Sequence, residues 1–196
     1  ELQLLLLTKC GLTDACVAKL VQALAKGMAP VLRILNVGGN EMSKEKFALG
    51  DLLLADSLNG EGCPLKSLDV GWLNLNLQHI FSLSDALAQN ARLTELTLAW
   101  NNFSSADAIE RLAISLLKNI QITSLDLSYN RITAQGSEIF AHKLFGRAAQ
   151  CTLQHLIMDG NQIGQGGSYL FVKEQAEKGR FISFQGCDFS FCGDTK

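Results

Sequence analysis

One spacing of apolar residues returns along the whole chain: L-x-x-L-x-L-x-x-N/C-x-apolar. It is met first by Leu2, Leu5, Leu7, Cys10 and Leu12. It returns at Leu32, Leu35, Val37, Asn40 and Met42, and again at Leu93, Leu96, Leu98, Asn101 and Phe103. Two further copies read Ile122, Leu125, Leu127, Asn130, Ile132 and Leu153, Leu156, Met158, Asn161, Ile163. Another copy, Leu65, Leu68 and Val70, has Leu73 where Asn or Cys belongs, and the adjacent Asn74 suggests a one-residue irregularity there. A degenerate copy, Ile182, Phe184, Cys187 and Phe189, closes the chain. The Asn/Cys positions lie 30, 33, 28, 29, 31 and 26 residues apart. A unit of that size cannot bury its apolar face alone. Neighbouring units must stack to share one core, which makes the repeat the strongest constraint on the fold.

Within each unit the periodicity changes. Leu-x-Leu, as at Leu96/Leu98 and Leu125/Leu127, is the period-two signal of a short strand with one buried face. The Asn then turns the chain back through the interior, where its amide can serve backbone groups that no ladder satisfies. Cys10, Asn40, Asn101, Asn130, Asn161 and Cys187 form this expected structural column, with the two cysteines as small substitutes in a buried slot. Helical stripes follow. Thr13 or Asp14 caps Val17, Leu20, Val21 and Leu24 ahead of Gly27, and Ser43 caps Phe47, Leu53, Leu54 and Leu58 ahead of Asn59-Gly60. Asn76, Ser105 and Thr133 open three more, and a last helix spans about Gln165 to Lys178 before Gly179. Six helices therefore alternate with seven strand segments. Strands stack about 4.8 Å apart and helices about 10 Å, so the sheet must bend with its strands inside.

The pattern resembles the leucine-rich-repeat superfamily, and the long units resemble its ribonuclease-inhibitor-like subclass. The resemblance implies an α/β solenoid: a short horseshoe arc with parallel strands on the concave face and helices on the convex face. It would form a single domain over residues 1–196, with about six full repeats and a degenerate C-terminal capping repeat.

Composition excludes several function classes. Apolar residues make up 47%, with 34 Leu and only 2 Pro, and the net charge is -2. That is too apolar for disorder, and too neutral for a nucleic-acid binder, which needs a basic face. No run approaches the roughly 18 apolar residues that insert in a bilayer. Six cysteines without a C-x-x-C pair read as buried thiols of a reducing compartment, so the expected location is cytoplasmic, or the host cytosol for a secreted effector. His79, His142 and His155 stand at no ligand spacing to them, and no metal or cofactor is expected.

The two ends differ. Phe181, Phe184, Phe189 and Phe191 crowd the C-terminus, and Phe189 to Lys196 is expected to fold over the final strand. The chain begins on Glu1 with its first strand almost at once, so a cap from upstream residues of a longer protein, or from an oligomer, is expected.

Function is expected on the strand face and its rim. The eighth repeat position carries Lys9, Gly39, Trp72, Trp100, Tyr129, Gly160 and Gly186, which puts both tryptophans of the chain in one column. Aromatic residues on a rigid scaffold are frequent binding hot spots. Asp69, Glu95, Asp126 and Asp159 surround them, while Lys9, Arg33 and Lys66 gather toward the N-terminal end. The expectation is a non-catalytic module that receives a protein partner with a basic or amphipathic surface. The inner sheet offers only about 300–400 Å², against about 800 Å² per partner in a standard interface, so rim loops must contribute. No nucleophile elbow or phosphate loop is present. The resemblance also implies alternatives: a regulator of another enzyme, as in ribonuclease inhibitors or Ran GTPase-activating proteins, or the recognition region of a receptor or secreted bacterial effector.

Overall fold

Strand and helix alternate as the periodicities require. The computed structural model describes residues 2–40, 65–146 and 151–189. Their elements are β1 (Leu4–Leu6), α1 (Asp14–Ala25), β2 (Ile34–Asn36), β3 (Ser67–Asp69), α2 (Leu77–Leu87), β4 (Glu95–Thr97), α3 (Ala106–Lys118), β5 (Ser124–Asp126), α4 (Ala134–Phe145), β6 (His155–Ile157), α5 (Gly164–Lys178) and β7 (Phe181–Ser183). The helix expected between β2 and β3, Met42, Cys63, and the tail beyond Phe189 with Phe191 and Cys192 lie outside the described residues.

The strands form one parallel sheet in strict chain order. Register is uniform: Leu5, Leu35, Leu68, Leu96, Leu125, Leu156 and Ile182 pair one to the next. All but Leu5 are buried, and they meet the helices' apolar stripes in a single core. Val17, Leu83, Leu112 and Leu144 come from four different helices and are all inaccessible to solvent. Helices α2 to α5 pack each against the next. Across their outer surface Arg111 holds Asp85 with two hydrogen bonds of 3.0 and 2.6 Å, and Lys143 meets Glu110 at 2.7 Å.

Helix starts fall where the capping residues stand. Asn76 accepts from the His79 amide while His79 Nδ1 accepts from the Asn76 amide, closing both ends of a capping box. Thr133 Oγ1 accepts from the Gly136 amide at 3.1 Å.

The asparagine column does what the sequence pattern demands. Asn130 Oδ1 accepts from the Asn101 amide at 2.9 Å, and its Nδ2 donates to the carbonyls of Leu98 and Leu127 at 3.0 and 2.9 Å. Asn161 repeats the arrangement one turn on, and Asn40 and Asn101 do so earlier. Each amide thus ties two consecutive repeats together.

Three details correct the expectations. Cys10 holds the column's register but is exposed, because it lies in the first repeat and nothing among the described residues stacks over it. Cys187, half-buried, donates to the Met158 carbonyl at 3.2 Å and does act as a substitute. Leu73 sits fully buried in the column's own slot with no slip of register, and Asn74 turns outward with φ 52°. Leu73 therefore interrupts the polar column: its amide is served by Asn101, but it offers no side-chain donor in return.

A second polar column, absent from the sequence reading, lies at the helix-to-strand turns. Asn90 Oδ1 accepts from the amides of Arg92 and Leu93, and Asn119 Oδ1 from those of Gln121 and Ile122. Asn119 Nδ2 reaches back to the carbonyls of Leu87 and Asn90. At the end of the array Arg180 takes over, pairing with buried Glu174 at 3.1 Å and donating to the carbonyls of Leu153 and Cys151.

Candidate functional site

The rim of the sheet is built by one backbone hydrogen bond per repeat. Each eighth-position amide donates to the seventh-position carbonyl of the next repeat: Gly39 to Gly71, Trp72 to Ala99, Trp100 to Ser128, and Tyr129 to Asp159, at 2.7–3.0 Å. To make this bond the eighth residue adopts a left-handed backbone. Lys9, Gly39, Trp72, Trp100, Tyr129, Gly160 and Gly186 all have φ between 53° and 68°. Glycine takes that conformation freely, and for a bulky side chain it costs of order 1–3 kcal/mol.

Three bulky side chains nevertheless stand there, and they stack. Trp72 and Trp100 have ring centroids 4.6 Å apart, and Trp100 and Tyr129 4.2 Å apart with planes 14° from parallel. The spacing is that of the strands beneath. Each aromatic contact is worth about 0.5–1.5 kcal/mol, so stacking offsets part of the backbone cost. The rings remain 54%, 45% and 45% exposed. At one end the Lys9 stem crosses over Gly39, and its ammonium stands 5.7 Å from the Trp72 ring centre. At the other end the Tyr129 ring covers Gly160. Glycines flank the stack on both sides and give its outermost members room.

The carboxylates behave differently from one another. Asp69 Oδ1 accepts from the Gly71 amide at 2.8 Å, and its Oδ2 accepts from Asn36 Nδ2 at 2.7 Å. Asp126 Oδ1 accepts from the Ser128 amide, and Asp159 Oδ1 from Ser183 Oγ and the Gln185 amide. These three are half-buried and shape the turns leading to the rim. Glu95 alone of the four is exposed and has no such bond among the described residues. The four carboxylates expected to surround the aromatic column are therefore not equivalent, and the i, i+2 spacing of Asp69/Gly71 and Asp126/Ser128 is the signal that separates two of them from Glu95.

Two clefts flank the aromatic stack. On the sheet side, Thr8, Lys9, Gly38, Gly39, Asp69, Gly71, Trp72, Thr97, Ala99 and Trp100 enclose about 330 Å³. On the outer side, Asn74, Trp100, Asn101, Asn102, Tyr129, Arg131 and Gly160 enclose about 350 Å³. Among the described residues no group of His, Cys, Asp or Glu could hold a metal ion, and no helix is long and apolar enough to cross a membrane.

Comparison with known proteins agrees with the repeat reading. The family described as Leucine Rich repeat matches residues 118–138 and 149–168. The human NACHT, LRR and PYD domains-containing protein 5 is 29% identical over 177 residues, covering 90% of this chain and 14% of that protein. The mouse NACHT, LRR and PYD domains-containing protein 14 is 29% identical over 133 residues, covering 54% of this chain and 13% of that protein. The chain thus spans about one seventh of the length of these curated relatives. Among solved structures, Leiomodin-1 Actin-Binding Site 2 superposes with a TM-score of 0.61 at 18% identity, covering 82% of this chain and 90% of that one. That likeness is one of fold.

Proposed function

From its membership of the leucine-rich-repeat superfamily we propose that this chain is a non-catalytic interaction module that binds a protein partner along the rim of its sheet. The observation that carries the reading is the strain at Trp72, Trp100 and Tyr129. Three bulky residues hold a left-handed backbone that glycine fills at Gly39, Gly160 and Gly186 of the same column. Strain of this kind gathers where a site needs a particular side chain in place. The rings pack against one another and remain about half exposed, as an apolar strip along the rim. An amphipathic segment suits that strip. Glu95, Asp126 and Asp159 on β4 to β6 and the turn beyond would face its basic groups and steer the encounter.

Full helices after β1 and after β3 to β6 support the ribonuclease-inhibitor-like subclass. Of the described thiols Cys151 is buried and Cys187 half-buried, as a reducing, cytoplasmic setting leads one to expect, whereas Cys10 and Cys16 are exposed and depart from that expectation. The three half-buried carboxylates are held by turn hydrogen bonds, which supports a binding role for the rim over acid–base chemistry.

The test is capture of partners by the chain and by a Trp72→Gly/Trp100→Gly/Tyr129→Gly variant. Glycine removes each ring and relieves its backbone, so the fold should persist while capture is lost. Partners retained by a folded variant would place the binding surface elsewhere.

A further inference from the structure

The sheet-side cleft is lined by one cationic and one anionic side chain, Lys9 and Asp69. Its floor is backbone: Gly38, Gly39 and Gly71 line it, and a β-carbon on Gly38 would stand 2.9 Å from the Gly71 carbonyl, so the floor tolerates no larger residue without shifting. The Trp72 ring forms one wall and the Lys9 stem another. Two charged groups line the space, and they are not equivalent. Asp69 has both oxygens engaged, by the Gly71 amide and by Asn36 Nδ2. Lys9 is exposed, and among the described residues no carboxylate or carbonyl pairs with its ammonium, which stands over the Trp72 face. Asp69 keeps its charge but turns both oxygens to this chain's own amides, so the charged group left free to bond an incoming ligand is the Lys9 ammonium.

Size and surroundings say what fits. A volume of about 330 Å³ lies at the low end of ligand pockets, which suits one large side chain. On the same sheet Leu4, Leu6 and Ile34 are exposed on the neighbouring strands β1 and β2. Resting on the rim-binding reading above, we infer that this cleft seats a single aromatic or branched aliphatic side chain of a protein partner, with an adjacent carboxylate of that partner meeting Lys9. The partner segment is then bipolar: acidic beside Lys9 at the end of β1, basic over β4 to β6.

The experiment is selection from a random displayed-peptide library on the immobilised chain, followed by titration of the enriched peptides against tryptophan emission. The inference expects an Asp or Glu beside an aromatic or branched aliphatic residue. It expects Lys9→Gln to weaken these peptides about three- to tenfold, and Lys9→Glu to move the selected preference toward Lys or Arg. Both variants lie on the surface and should melt as the parent does. Peptides lost on Tyr129→Gly, which lies outside the cleft, but indifferent to Lys9→Gln would overturn the cleft and leave the rim reading intact. Peptides indifferent to both substitutions, or no enrichment at all, would overturn both.

Discussion

The Tyr129 ring lies against Gly160 so closely that a side chain at residue 160 would run into it. Gly160 also has φ 66°, so a larger residue there is strained twice. Gly160→Ala is expected to cost about 2 kcal/mol or more, above the roughly 1 kcal/mol of an ordinary glycine replacement at positive φ. Urea unfolding measures this. A loss below 1 kcal/mol would mean the ring does not rest there.

Trp100 offers the complementary case. Trp100→Ala keeps the left-handed backbone penalty and loses two stacking contacts, whereas Trp100→Gly loses the stacking but relieves the backbone. The glycine variant is expected to be more stable than the alanine variant by about 0.5–1 kcal/mol. In an ordinary backbone setting the order reverses, so the sign of the difference alone decides.

His79 makes stability depend on pH. Burial pushes its imidazole below the ordinary 6.5, with the Asp14 charge pulling weakly the other way. Its Nδ1 accepts the Asn76 amide hydrogen, which only the neutral ring can do. The unfolded chain binds a proton near its ordinary pKa while the folded chain resists until lower pH. Below about pH 6.5 the unfolded state therefore holds more protons, and stability falls as pH falls. Urea midpoints between about pH 7.5 and 5 should decline in the parent and flatten in His79→Gln.

Arg180 and Glu174 form a buried pair whose removal should be one-sided. Arg180→Met strands the Glu174 carboxylate and leaves the Leu153 and Cys151 carbonyls without their donor. A loss of about 3–5 kcal/mol is expected, with part recovered when Glu174→Leu is added. Equal losses in the single and double variants would show that the carbonyl bonds, not the charge, carry the effect.

What the sequence disclosed follows from periodicity. Strand register, the Asn column and the described helix starts at Thr13, Asn76, Ser105 and Thr133 were legible because each is fixed by local spacing repeated several times. Leu73 misled because an apolar residue in a polar slot looks like a slipped register; only packing shows that the slot accepts it. The column of Trp72, Trp100 and Tyr129 was visible, but its backbone strain was not. The glycines at residues 39, 160 and 186 hinted at it, since an L-residue at their register must share their φ. Asn90 and Asn119 stand at one offset, three residues before Leu93 and Ile122, a signal that two repeats alone carry, while Arg180 falls at a different place in its repeat and does a different job.

Trp72 and Trp100 are the only two tryptophans of the chain, and both lie in the proposed interface. Tryptophan emission during titration of a captured partner, itself prepared without tryptophan, therefore reads the rim directly. The account predicts a saturable change in emission on binding, and loss of binding, followed by calorimetry, in the triple glycine variant, which has no tryptophan of its own. Saturable binding with unchanged emission, and equal affinity for the variant, would contradict it.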